Sequence, residues 1–272
     1  MDRDAARIAV PQHMKDADTM LLSEFDGDDT AILEPSHSDA SVPQSGLPET
    51  FLCPFAQQII DELAAEGRIT PIGAINSVNG SLPMYSMHHQ GRDYGVVRAN
   101  MGAPIVVGDF EEMHYFGAKH FIVFGPCGII GEDRRSDEII IPTAALRDEG
   151  TSYHYAPSSP SIAAQSASLA LMEDVLVEHS IRYGTAVTWT TDAIYRETRK
   201  KTGERVNQGA SVVDMEASAL MAWSQFRKTD LYQFFYTADY VSQDGWDQRR
   251  DQRRRPLDDF LRIALLIASR CQ

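Results

Sequence analysis

The feature that most constrains this chain is a regular alternation of short β-type runs with segments of helical spacing. Tyr94-Gly95-Val96-Val97 leads into the turn Asn100-Met101-Gly102-Ala103-Pro104, which opens a helix over about 105–116. Proline in the first turn fits, because its missing N–H would be unpaired there anyway. His120-Phe121-Ile122-Val123-Phe124 reads as a strand, as do Glu138-Ile139-Ile140-Ile141-Pro142, Ala186-Val187-Thr188-Trp189-Thr190-Thr191, Ser211-Val212-Val213 and residues 231–237. Helical spacing recurs over 55–65, 164–178, 216–226 and 257–270, and the run Ala31-Ile32-Leu33 reads as the first strand. Residues 36–44 form a loop by their Ser, Asp and Pro content. Alternation of this kind predicts an α/β fold: one domain over 1–272, its central sheet mixed but mostly parallel and flanked by helices. The polar, acidic residues 1–26 read as a flexible or subunit-contacting arm.

Charge narrows the partners. The 272 residues carry 39 acidic and 25 basic side chains, a formal net charge of -14. Nucleic-acid backbones need clustered positive charge, so that class of partner is not expected. An anionic substrate would depend on a locally basic pocket. The 3 cysteines, Cys53, Cys127 and Cys271, are far apart and form no CxxC pair, so neither a disulfide framework nor a metal cluster is expected. The N-terminal stretch has no uninterrupted apolar core and no later run reaches membrane-spanning length, which points to the cytoplasm.

In open α/β sheets ligands sit where strand ends lead into helices. Three polar clusters occupy such places: Gly125-Pro126-Cys127-Gly128, Asp214-Met215-Glu216 and Ala238-Asp239-Tyr240. Residue type alone leaves bland readings open. Glu216 could be a helix-start carboxylate suited to the macrodipole, Met215 a core methionine and Asp239 an Asx turn. Ile194 and Tyr195 could be ordinary packing, and Arg249, Arg250, Arg253, Arg254 and Arg255 a solvated charged loop.

Five blocks in order give these clusters a context. Asn100-Met101-Gly102-Ala103-Pro104 with Glu111-Glu112 resembles the Gly-x-Gly-x-Pro turn and Glu-Glu helix of the nucleoside phosphorylase family, which holds purine nucleoside and uridine phosphorylases and related nucleosidases. Phe124-Gly125-Pro126-Cys127-Gly128 resembles its Gly-rich strand end, and the run from Arg147 to Tyr155 a segment of its uridine branch. Thr191-Asp192-Ala193-Ile194-Tyr195-Arg196-Glu197 resembles its base-pocket segment, and Val213-Asp214-Met215-Glu216-Ala217 its Val-Glu-Met-Glu-Ala signature.

The resemblance implies cleavage of a nucleoside's N-glycosidic bond, with phosphate as co-substrate and no metal or other cofactor. It makes Glu216 and Met215, with Asp214, the ribose-binding group, and places Ile194, Tyr195, Cys127 and Gly128 at the base. It assigns Asp239, assisted by Arg253, to the departing base. An oxocarbenium-like transition state gives the carboxylate its purpose, since hydrogen bonds to the sugar's 2-OH strengthen as charge develops. Asp239 leans towards purines, while the 147–155 and 191–197 runs lean towards uridine. A homo-oligomer, dimer or hexamer, is implied as well.

The nucleophile side departs from the family. Phosphate needs Arg side chains and backbone N–H groups. The expected central-strand Arg is Val123, the hydroxyl position is Pro126, and residues 81–89 contain no Arg. The loop read as following the first strand carries Glu34 and Asp39, which would repel phosphate. Gly102 and Gly125 are the backbone positions left for an anion, with Arg92, Arg98 or Arg147 as substitute cations. Water as nucleophile, activated by Glu34 or Asp39, is therefore the alternative to phosphorolysis. A non-catalytic nucleoside-binding homologue is the third reading.

Overall fold

The computed structural model describes residues 21–131, 138–241, 245–248 and 255–271. The first strand of the sheet is β1, Thr50–Pro54, which enters the first helix, α1 (Gln57–Ala65). Three antiparallel strands come next: β2 (Thr70–Ser77), β3 (Gly80–His89) and β4 (Arg92–Val97). Then come α2 (Ala103–Tyr115), β5 (His120–Ile129), β6 (Ile139–Asp148), the short β7 (Ser161–Ala163) and α3 (Ser166–Glu178). The last part runs β8 (Tyr183–Thr191), α4 (Arg199–Asn207), β9 (Ala210–Asp214), α5 (Ala217–Arg227), β10 (Asp230–Val241), β11 (Trp246–Asp247) and α6 (Leu257–Ala268).

All these strands join one mixed sheet, in the order β11-β10-β6-β8-β9-β5-β1-β4-β3-β2, with β7 beside β6. The parallel pairings hold its centre: β4–β1–β5–β10 and β6–β8–β9. Because β10 pairs with both β5 and β6, the strands β10, β6, β8, β9 and β5 close into a ring. The closure turns the carboxyl ends of β5, β8, β9 and β10 towards one another.

Period-two alternation explains why the sheet is covered on both faces. Phe51, Cys53, Phe121 and Val123 join the core cluster holding Val106 of α2 and Trp223 of α5. Their neighbours Leu52, Ile122 and Phe124 point the other way, to a cluster with Ile60 of α1, Met172 of α3 and Ile263 of α6. Phe110, Phe121 and Trp223 pack ring against ring at 4.7–5.7 Å, an arrangement aromatic quadrupoles favour.

One expectation fails. Ala31-Ile32-Leu33 is not a strand: Ile32 and Leu33 are fully or largely exposed, and three apolar residues bury too little to hold a place in a sheet. The first strand is β1 instead, and β2, β3 and α4 also went unread in the sequence. The arm has a place in part, since the Phe25 ring meets Phe226 edge-on at 6.4 Å. Residues 1–20 of that arm lie outside the described residues.

Candidate active site

The site grows from the junction of β9 and α5. Helix α5 is buried over residues 217–224, so the N–H groups of its first turn cannot turn to water and need protein partners. Asp214 supplies two: its Oδ2 accepts from the amides of Glu216 at 2.8 Å and Ala217 at 2.6 Å. Its Oδ1 accepts from the hydroxyls of Thr188 at 2.8 Å and Thr190 at 2.9 Å, which share one face of β8. The Thr190 oxygen accepts in turn from the Ser218 amide at 3.0 Å, and the Ser218 hydroxyl donates to Glu149 at 2.8 Å.

With Asp214 capping the helix, Glu216 is released from that task. Its backbone, φ -139° and ψ -27°, is not helical, and its side chain reaches across to another helix. Oε1 accepts from the Gly102 amide at 2.6 Å, and Oε2 lies 3.3 Å from the Met215 amide that donates to it. Gly102 is the N-cap of α2, so the carboxylate sits between the positive ends of two helices. Burial, then the charge of Asp214, nevertheless hold the Glu216 carboxyl well above the usual carboxylate range. A buried carboxylate with few donors is completed by a ligand that brings more, as a vicinal diol does.

The other assigned residues fall into three groups. Of the residues expected at a base, Asp239 stands opposite Gly128 in the β5–β10 pairing, just past a register shift after Thr237. A Cβ on Gly128 would come within 2.9 Å of Val213 and 3.4 Å of Asp239 Oδ1, so only glycine lets β9, β5 and β10 converge there. Ile194 and Tyr195 are not core: they are 48% and 95% exposed on a short 3-10 turn beyond β8. Cys127 is buried in the core cluster beneath α2 and α5, leaving partly exposed Gly128 as the member of that pair at the site's surface.

The nucleophile-side assignments need correction. Glu34 and Asp39 do not come after a strand. The Glu34 carboxylate accepts from the Ala31 amide of its own turn at 2.6 Å, and the Asp39 carbonyl accepts from Asn76 at 2.7 Å. The residue directly after β1 is Phe55, whose ring lies where a Cβ on Gly125 would sit, at 2.6 Å, so Gly125 is covered by an aromatic side chain. Gly102 donates to Glu216, so its amide is engaged by that carboxylate and not left for an anion. Arg147 is buried in its own loop, bonded to Ser152, Ser159 and the carbonyls of Ala156 and Pro157, and Arg92 donates to the Ser269 carbonyl. Arg98 donates to Asn100, which donates to Asp109. Arg253 lies outside the described residues.

Sequence reasoning missed the Thr188–Thr190–Glu149 support of α5, although alternate threonines on an apolar strand were a visible sign. It also missed Glu197 and Trp246. The Trp246 indole N–H donates to Asp239 Oδ2 at 2.6 Å, and half-buried Glu197 is pushed up to about 7 by burial and by Asp239 beside it.

A family model described as the phosphorylase superfamily matches residues 61–262, most of the chain. The chain belongs to this superfamily. This superfamily member is 24% identical over 229 residues to the DeoD-type purine nucleoside phosphorylase of Brevibacillus brevis, covering 82% of itself and 94% of that relative. It is 25% identical over 169 residues to an uncharacterized protein of Acanthamoeba polyphaga mimivirus, covering 60% of itself and 66% of the other. Among solved structures it resembles the purine nucleoside phosphorylase of Toxoplasma gondii, with TM-score 0.68 at 16% identity over 84% of this chain and 92% of that one. Uridine phosphorylase of Vibrio fischeri gives 0.64 at 19% identity over 84% and 90%. At these identities the two structures speak for the fold alone. Among the described residues no helix is long and apolar enough to cross a membrane, and no group of His, Cys, Asp and Glu is arranged to hold a metal.

Proposed function

We propose that this superfamily member cleaves the N-glycosidic bond of a nucleoside, with purine nucleosides first in order. The observation that carries the reading is the Glu216 carboxylate, freed from capping by Asp214 and held between two helix N-termini. The ribose hydroxyls donate to Glu216, with Met215 against the sugar. As the C1′–N bond lengthens, positive charge builds on the ring and is met by that carboxylate, while the bonding pair leaves with the base. Asp239 and Gly128 border the base. The relatives' names favour phosphate as the acceptor at C1′, which makes the products base and ribose 1-phosphate. Assembly into a homo-oligomer goes with that reading, and mass in solution tests it.

One observation favours a second acceptor. Phe55 over Gly125, with Val123 and Pro126 where a cation and a hydroxyl would serve an anion, gives phosphate an apolar wall. Carboxylates crowd the neighbouring strand ends, and Lys201 and Arg205 are both bound to Asp148. A dianion meets repulsion there, whereas water does not. Release of base from inosine, adenosine, guanosine and uridine, measured with and without phosphate, separates the readings. Phosphate-dependent release supports phosphorolysis, phosphate-independent release supports hydrolysis, and binding without release leaves a nucleoside-binding homologue. Retention of full affinity and turnover by Glu216→Gln would overturn the proposal.

A further inference from the structure

We infer that the seam where α3, α5 and β10 meet binds one internal water molecule, held by the side-chain amide of Gln233. The seam touches α5 near Met221 and Ser224, beyond the turn that carries Glu216, and the inference does not depend on what the protein cleaves.

Strand β10 is buried along most of its length, and its alternate residues share a face. Leu231 and Phe235 belong to the core cluster that holds Trp223, while Tyr232 and Phe234 belong to the cluster on the opposite face. Gln233 falls between Leu231 and Phe235 and so turns an amide into an apolar layer. It is 3% exposed, and neither its Oε1 nor its Nε2 meets a hydrogen-bonding group of the protein. A buried amide in that condition costs stability unless something polar reaches it.

The packing leaves room for one small molecule. A cavity of about 10 Å³ opens against Gln233, lined by Gln165, Ser168 and Met172 on the α3 side and by Met221 and Ser224 of α5. That is about the space one water needs, and too little for an organic ligand. Among the described residues no charged side chain lines it, which argues against an ion.

The polar groups of the wall set the pattern of hydrogen bonds. Gln165 is fully engaged: its Nε2 donates to the Thr229 carbonyl at 3.0 Å, and its Oε1 accepts from the Leu231 amide at 3.3 Å and the Ser168 hydroxyl at 3.4 Å. The Ser224 hydroxyl donates to the Met221 carbonyl at 3.1 Å. Both serine hydrogens are thus committed, and what the two hydroxyls still offer is acceptor capacity, while Gln233 offers N–H donors. Water complements that set. It accepts from Gln233 Nε2 and donates its two hydrogens to the oxygens of Ser168 and Ser224, three bonds in all, the usual number for a buried water. It joins α3 to α5 across β10.

A crystal structure of the full chain, at a resolution that shows ordered solvent, tests the assignment. One peak is expected in the seam, about 2.7–3.2 Å from the Gln233 amide and from a serine oxygen. A seam without density, or a Gln233 amide turned onto a protein group, overturns it. Gln233→Met keeps the length of the side chain and removes the amide. Oxygen-17 relaxation dispersion in solution should then count one long-lived internal water fewer in the variant than in the wild type. The same count in both chains overturns Gln233 as the group that holds the water. If the variant does not fold, the wild-type density decides alone.

Discussion

The Gly102 amide donates to Oε1 of Glu216 at 2.6 Å, joining positions 114 apart in the chain. The bond places the N-terminus of α2 against the start of α5, and it exists because Gly102 has φ +104°, a conformation that L side chains rarely adopt.

Replacing Gly102 by alanine is expected to do more than add strain. A residue forced into such a region costs about 1–3 kcal/mol, and relaxation would turn the amide away from Glu216. Gly102→Ala should therefore weaken nucleoside binding about tenfold, by the loss of the hydrogen bond that orients the Glu216 carboxyl. Calorimetric titration checks it; unchanged affinity would show that the Gly102 amide does not orient the carboxylate.

Asp214 is a support for Glu216, since all four of its hydrogen bonds go to β8 and the first turn of α5. Asp214→Ala removes a cap and takes from the Thr188 and Thr190 hydroxyls the acceptor they share, a loss of about 2–4 kcal/mol from a helix buried over residues 217–224. For a chain of this size the melting temperature should fall by about 2–4 °C per kcal/mol. Thr190→Val should reproduce part of that loss. Because the two side chains touch, the double variant should fall short of the sum.

Phe55 and Gly125 make a packing pair that a cycle can resolve. Gly125→Ala drives a methyl into the Phe55 ring and should destabilise the chain by about 1–3 kcal/mol. In a Phe55→Ala background the same change should be close to neutral. Equal penalties in both backgrounds, measured by denaturant unfolding, would mean that the ring does not cover this glycine.

Asp109 gives stability a pH dependence of known sign. Burial first, and Glu112 beside it, raise its carboxyl to about 6 against the opposing Asn100 hydrogen bond and Arg98. A raised acid favours the folded state when protonated, so its contribution is complete below about 4 and is lost as pH rises through 6. Asp109→Asn keeps an acceptor for Asn100 and should gain about 1–2 kcal/mol at pH 8, with no gain at pH 4. Unfolding curves at the two pH values decide it.

How much of this could be read beforehand differs by residue. The strand containing Phe121, Ile122 and Val123 was legible because it is buried on both faces, and such a strand is apolar at every step. Strand β1 was passed over because Thr50–Pro54 offers five residues between turn-forming neighbours, with nothing local to separate it from a loop. Ile32 and Leu33 looked more apolar than they are useful. Glu216 stood out through its ordered neighbours, while Glu197 did not, since its surroundings come from Asp239 on a distant strand.

The linear order of residues determined the α/β alternation from Tyr94 onwards, the junction Asp214-Met215-Glu216, and the apolar Val123 and Pro126 at the end of β5. These depend on periodicity and residue chemistry, which act over a few positions. Pairing in space decided the rest: β1 beside β5 puts Phe55 over Gly125, the meeting of α2 with α5 gives Glu216 the Gly102 amide, and β10 beside β5 sets Asp239 opposite Gly128. Burial and electrostatic fields are set by whatever lies within a few ångströms in space, and neighbours more than a hundred positions apart leave no local trace along the chain.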